Sequence, residues 1–170
     1  VSGIEIIPFG QAERPPRARW LAPLSVMLGS AVTLIPLIAS VPILPPFGLM
    51  MLLGWRMIRG NSMRVWAPVP LGLFDDLVSG QPLGSAMLLW TLCVLAIDVL
   101  DTRLVWRDFW QDWVIATGGV GFCLAAGRLF AAPLWAHVDT ALLFQLLAAA
   151  AFLPVIFRLC AWLDRDAKKV

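Results

Sequence analysis

Charge is scarce in this chain. Asp, Glu, Lys and Arg make up 14% of its 170 residues, hydrophobic residues make up 60%, and mean hydropathy is +0.83. Soluble domains carry about 25% charged and roughly 45–50% apolar residues. There is too little charge here to cover a water-exposed surface, so the composition implies an integral membrane protein. Histidine is almost missing: His137 stands alone near a predicted membrane edge, which suits an interface residue better than a ligand. Cys93, Cys123 and Cys160 are scattered through apolar runs with neither metal-like nor redox-motif spacing, and read as small buried or lipid-facing residues. The chain offers no Ser-His-Asp set, no histidine cluster, no glycine-rich phosphate loop and no carboxylate pair with a histidine at metal spacing. These absences argue against hydrolytic, metal-dependent and nucleotide-dependent chemistry, and no enzyme activity and no cofactor are expected. A net charge of +2 gives no reason to expect a nucleic acid partner.

What is present is a series of apolar runs. The predicted fold class is all-α: a polytopic membrane protein with six transmembrane helices, the second and third short and proline-broken. Residues 1–19 form a basic tail expected to be flexible and non-helical, because Arg14, Arg17 and Arg19 surround Pro15 and Pro16. The membrane domain is expected over 20–163, with a short charged tail at 164–170. Helix one is predicted over 20–39, about 30 Å at 1.5 Å per residue, which is enough to cross the hydrocarbon core. Because it is long and other apolar runs follow, it is expected to act as a signal anchor rather than a cleaved leader. Its Ser25, Gly29 and Thr33 make a small-residue face.

The second run, 46–58, reaches only about 20 Å as a helix, so residues 41–44 are expected to help it across as non-helical chain. The third, 65–78, contains Pro68 and Pro70. Two successive short, proline-broken segments suggest backbone that lines an interior. Helices four, five and six are predicted over 83–99, 113–135 and 140–163. In helix five, Gly119, Cys123, Gly127 and Ala131 recur every fourth residue, the pattern of a helix-packing stripe.

Six spans with a cytoplasmic N-terminus put twelve of the thirteen basic residues on the cytoplasmic side; only Arg128 lies towards the other. Both termini are therefore expected in the cytoplasm. Trp20, Trp55, Trp66, Trp106, Trp110, Trp113 and Trp162 fall near the same boundary, where indoles settle with a wet N–H.

The stretch from Trp66 to Gly84 reads as the organising centre, because it carries adjacent carboxylates, Asp75 and Asp76, inside an apolar segment. An ionised carboxylate at the middle of a bilayer costs about 2.5–3.5 kcal/mol on insertion scales, so the segment is expected inside the bundle. Counting along the helices puts Asp75 and Asp76 at about 18 Å from the cytoplasmic boundary and Arg128 at about 22 Å, all in the outer half. Arg128 is expected either to pair with one of the acids inside the bundle or to snorkel outward alone. Separately, Asp76 is expected to satisfy backbone N–H groups of the 79–84 turn. Acids within the membrane also mark proton or ion paths. Gly72, Gly80 and Gly84 suit close backbone approach around that turn.

The residues Gly72, Leu73, Asp76, Ser79, Gly80, Leu83 and Gly84 resemble the motif of the MreD family, with Asp75 an addition to the pattern. The family's members are bacterial inner-membrane proteins of the cell-shape and peptidoglycan elongation machinery, or elongasome. The resemblance implies a six-helix fold similar to the substrate-binding subunits of energy-coupling-factor vitamin transporters. It also implies a non-enzymatic scaffold in the bacterial inner membrane. Its partners would be an MreC-like bitopic protein and, through the complex, MreB, RodA and a class B penicillin-binding protein. No catalytic residue is carried over. A small-molecule-binding subunit of a vitamin-type transporter is the alternative that the buried charges and the related fold suggest.

Overall fold

The computed structural model describes residues 16–34, 45–58, 63–103, 108–131 and 139–167. Among them are six α-helices and no strand: α1 (Pro16–Ala31), α2 (Phe47–Ile58), α3 (Pro68–Ser79), α4 (Ser85–Arg103), α5 (Phe109–Ala131) and α6 (Asp139–Asp166). A short 3-10 turn, Val32–Leu34, extends α1. The expected continuation of helix one beyond this point, the support of α2 by residues 41–44, and Trp106 and His137 lie outside the described residues.

Prolines begin two of the helices, while Pro23 and Pro154 lie inside α1 and α6. α1 starts at Pro16, inside the stretch expected to be non-helical, and α3 starts at Pro68 rather than being broken by it. A proline in the first helical turn has no N–H to waste, and its fixed φ already matches the helix.

The surface and the interior are both apolar. Leu24 and Leu28 of α1, Leu73 and Leu77 of α3, Leu88 and Leu92 of α4, and Leu143, Leu147 and Val155 of α6 are all exposed. Buried polar side chains among the described residues are Ser30, Asp76 and Ser85. That distribution fits helices whose outer faces meet lipid. α4 and the segment Thr140–Asp166 of α6 are long and apolar enough to cross a membrane, while α2 and residues Trp20–Ala31 of α1 are apolar but shorter. Within α4 and α5, the Thr91 and Thr117 hydroxyls donate to carbonyls one turn back, Met87 and Trp113, at 2.6 and 2.7 Å. A hydroxyl returned in this way can sit on a helix without needing water.

The structural hub is α2, not the acidic third segment. Every residue from Gly48 to Trp55 is buried. α2 packs against α1, α6, α5 and α4, while α3 packs mainly on α4 and α1 and keeps Leu73 and Leu77 exposed. A helix that is apolar all round belongs in an interior. Because its neighbours shield it, α2 need not match the bilayer's thickness by itself. Close approach to α2 depends on small residues. A Cβ at Gly29 of α1 would come within 3.1 Å of the Phe47 carbonyl, and one at Gly54 would meet Cys160 Sγ of α6 at 3.1 Å. Ser25 joins the same α1 face: its hydroxyl accepts a 2.7 Å bond from the Trp55 indole. The Thr33 side chain lies outside the described residues.

The indoles divide into two groups. Trp20, Trp66, Trp110 and Trp162 are exposed, as interface residues should be. Trp55 is buried, and Trp113 is half-buried with its N–H on the Ala150 carbonyl of α6 at 2.9 Å, so both tie helices together rather than sitting in a wet boundary.

The small-residue stripe of α5 faces α4. A Cβ at Gly119 would reach Cys93 Sγ at 2.8 Å, Cys123 Sγ lies 3.7 Å from the Leu89 carbonyl, and a Cβ at Gly127 would stand 3.7 Å from Leu89. Ala131 ends the helix, and its side chain lies outside the described residues.

Candidate functional site

Helix α3 ends at Ser79, the chain turns through residues 80–84, and α4 leaves from Ser85. Gly80 terminates α3 in the left-handed conformation, φ 67°, with its N–H on the Asp76 carbonyl at 3.1 Å. Gly84 precedes α4 with φ 96°. Both positions are open, since a Cβ there would meet nothing within 4 Å, so the backbone conformation rather than space calls for glycine. Gly72 is the reverse case. It lies mid-helix, but a Cβ there would be 2.6 Å from Met87 Cα and 2.7 Å from Met87 N. The first turn of α4 thus lies directly against the backbone of α3.

That contact places Asp76, one turn after Gly72, at the mouth of α4. Asp76 is 1% exposed. One carboxylate oxygen, Oδ1, accepts from the Ser85 hydroxyl at 3.0 Å and the Ala86 N–H at 2.9 Å; the other, Oδ2, accepts from the Gly84 N–H at 2.8 Å and the Met87 N–H at 3.4 Å. The Ser85 N–H goes to the Pro82 carbonyl, and the first intrahelical bond runs from Leu88 N–H to the Gly84 carbonyl. The first N–H groups of a helix have no partner within the helix, and a side chain just before it normally supplies one. Gly84 has no side chain, so Asp76 caps α4 from the preceding helix. The negative charge also meets the positive end of the helix dipole. A carboxylate offers about four acceptor positions, and here α4 occupies them.

Asp76 therefore satisfies backbone N–H groups, as anticipated for the 79–84 turn, but its donors extend past Gly84 into the first turn of α4. Arg128 is half-buried on α5, which packs on α4, α6 and α2 rather than mainly on α3. Asp75 is half-buried and turns towards α1, where Ser30 is its polar neighbour. Ser79 is exposed and donates its hydroxyl to the Asp75 carbonyl at 2.7 Å. The motif leucines, Leu73 and Leu83, are exposed.

At the other end of α4 lies an arrangement that sequence reasoning passed over. The Arg56 guanidinium at the end of α2 pairs with the Asp98 carboxylate of α4. Both side chains are largely buried. The available signal was an arginine inside a fully apolar run together with an aspartate one turn before the end of another. Ser85 and Ser30 were also missed. Ser85 directly follows Gly84 at the start of an apolar run, which is a helix-start signal.

Gly72, Asp76, Gly80 and Gly84 each have a distinct physical job in one corner, and the match to known families falls on this same framework: residues 17–162 match the family described as rod shape-determining protein MreD. The chain belongs to the MreD family. Membership makes it a membrane protein of the bacterial cell-shape machinery, associated with the MreB and MreC shape complex. No curated protein and no solved structure matches the chain. For an MreD protein the corner is of direct interest, because the residues carrying the resemblance fix how α3 meets α4. Among the described residues no cluster of His, Cys, Asp or Glu could hold a metal ion.

Proposed function

We infer that this protein is a non-enzymatic scaffold of the elongation machinery in the bacterial inner membrane. It would bind an MreC-like bitopic protein and help to assemble it with MreB, RodA and a class B penicillin-binding protein. The family match over residues 17–162 carries this reading. The chemistry of the corner supports it: the Asp76 carboxylate is spent on holding two helices together, a use suited to a rigid surface that presents α3 and α4 to a partner. The exposed apolar faces suit contacts within the bilayer. Six crossings with both termini in the cytoplasm are part of the same reading, supported by the charge pattern, as is a fold similar to energy-coupling-factor substrate subunits.

Affinity capture of the tagged chain from native membranes tests the reading. An MreC-like protein is the expected companion. A correctly inserted chain that captures none of the named partners would overturn it. Labelling engineered cysteines at each terminus checks the orientation, and opposite-side labelling would sink the even number of crossings. The vitamin-transporter alternative needs a cavity at the outer side.

A further inference from the structure

Helix α6 carries Pro154 in its interior, with helix on both sides. A proline there has no N–H for the carbonyl four residues back, and its ring pushes against that carbonyl. The helix bends, and one acceptor loses its usual donor. In α6 that acceptor is the Ala150 carbonyl. The indole of Trp113, reaching across from α5, donates its N–H to this same carbonyl at 2.9 Å. Ala149 and Leu153, which flank the site, are fully buried. In such surroundings a freed carbonyl takes its donor from a neighbouring helix. The Trp113 ring is itself braced edge-on by Trp110, with 5.7 Å between the ring centroids.

The proline stands between two sets of contacts. Before it, Leu146 packs over Gly121 of α5. After it, Ile156 and Cys160 close on Gly54 of the hub helix, and Phe157 meets Phe109 in the first turn of α5, ring centroids 6.2 Å apart. The arm beyond the proline, 155–166, exposes Arg158, Leu159, Trp162 and Arg165. We propose that Pro154 and Trp113 form a latched hinge. Pro154 gives α6 a point about which this arm can pivot, and the indole, by taking the carbonyl that the proline frees, holds the arm at one angle. A helix without the proline would have no carbonyl to offer, and a helix without the indole would have a soft joint where it meets the hub. The direction of the exposed face of the arm is thereby tied to one hydrogen bond from α5. The device goes beyond the scaffold reading: it concerns how one surface is aimed, whatever partner meets it.

Hydrogen exchange and thermal unfolding of the purified full chain in detergent test the hinge. Trp113→Phe keeps a ring and loses the N–H. It should speed exchange about tenfold at amides 155–158, whose helical bonds span the proline, and leave amides 143–149 near the wild-type rate. It should also lower the melting temperature by about 4 °C. Pro154→Ala supplies the missing N–H, so in that background the shift caused by Trp113→Phe should shrink to about half or less. Pro154→Ala alone should slow exchange at 155–158, and it decides the matter if Trp113→Phe folds poorly. Equal melting shifts from Trp113→Phe in both backgrounds would overturn the latch. Exchange raised evenly along α5 and α6 would also overturn it, because Trp113 would then act through general packing. Unchanged exchange at 155–158 in Pro154→Ala would overturn the hinge. These measurements use the isolated chain, so their failure would leave the proposed scaffold role untouched, and failed partner capture would leave the hinge standing.

Discussion

The two ends of α4 solve the same problem by different means. At its start, a buried carboxylate is met by peptide N–H groups and one hydroxyl, with no opposing side-chain charge among its hydrogen-bond donors in the described residues. Near its end, the Asp98 carboxylate is neutralised by a guanidinium from α2. The difference follows from the direction of the helix. A negative group at a helix start is favoured by the dipole and by the unpaired N–H groups, so Asp76 needs only geometry. A negative group in the last turns faces the carbonyl end and needs a cation, which Arg56 provides while also favouring that end of the dipole. Charge within an apolar protein is thus handled by backbone where polarity allows and by counter-charge where it does not.

Removing the carboxylate should separate the two ends most sharply. Asp76→Ala leaves buried N–H donors of Gly84, Ala86 and Met87 without an acceptor, and is expected to cost about 4 kcal/mol or more, since each stranded donor costs about 1–3 kcal/mol. Asp76→Asn keeps one acceptor oxygen and turns an amide N–H₂ towards donors, so it should fall between wild type and Asp76→Ala. Thermal unfolding in detergent checks both, and wild-type stability in Asp76→Ala would mean that the cap is idle. Next comes the close approach that positions the carboxylate. Gly72→Ala forces the backbones of α3 and α4 apart and should cost about 1–3 kcal/mol. Combined with Asp76→Ala it should be less than additive, because both changes damage one contact.

At the other end, Arg56→Ala should cost about 1–2 kcal/mol, between the exposed and fully buried limits, because the pair is partly exposed. Adding Asp98→Asn should restore most of that loss. A double mutant no better than Arg56→Ala would show that Arg56 contributes through packing rather than pairing. The smallest effect is expected at Gly80, where Gly80→Ala places a side chain on a left-handed residue at a cost of about 1 kcal/mol, in open space.

Much of the first end was legible from sequence, and the second was not. Gly72, Asp76, Gly80 and Gly84 recur at helical spacing and then across a short turn, so their geometry is local and the chain order nearly dictates it. Arg56 and Asp98 are separated by 42 positions, and nothing local says which helices will adjoin. The position of α2 was hidden for a different reason. In water, burial leaves an apolar stripe against polar residues, but in a bilayer the inside and outside of a bundle have the same polarity, so a run such as Phe47–Ile58 looks alike in either place. Proline misled at residue 16 because the same residue that breaks a helix interior also starts one. The glycine stripe of α5 was readable as a packing face, while its partner, the Cys93 and Leu89 side of α4, was not.

The enclosure of α2 has a consequence for how the protein is made. Its twelve residues emerge from the ribosome long before α6, the helix whose Ile156 and Cys160 meet Gly54. Until that last helix is translated, one flank of the hub has no protein cover, and the segment is too short to settle across the bilayer unaided. Assembly must therefore wait for α6, and a product truncated before Asp139 is expected to be degraded rather than to persist, which pulse-chase labelling of such a truncation would reveal.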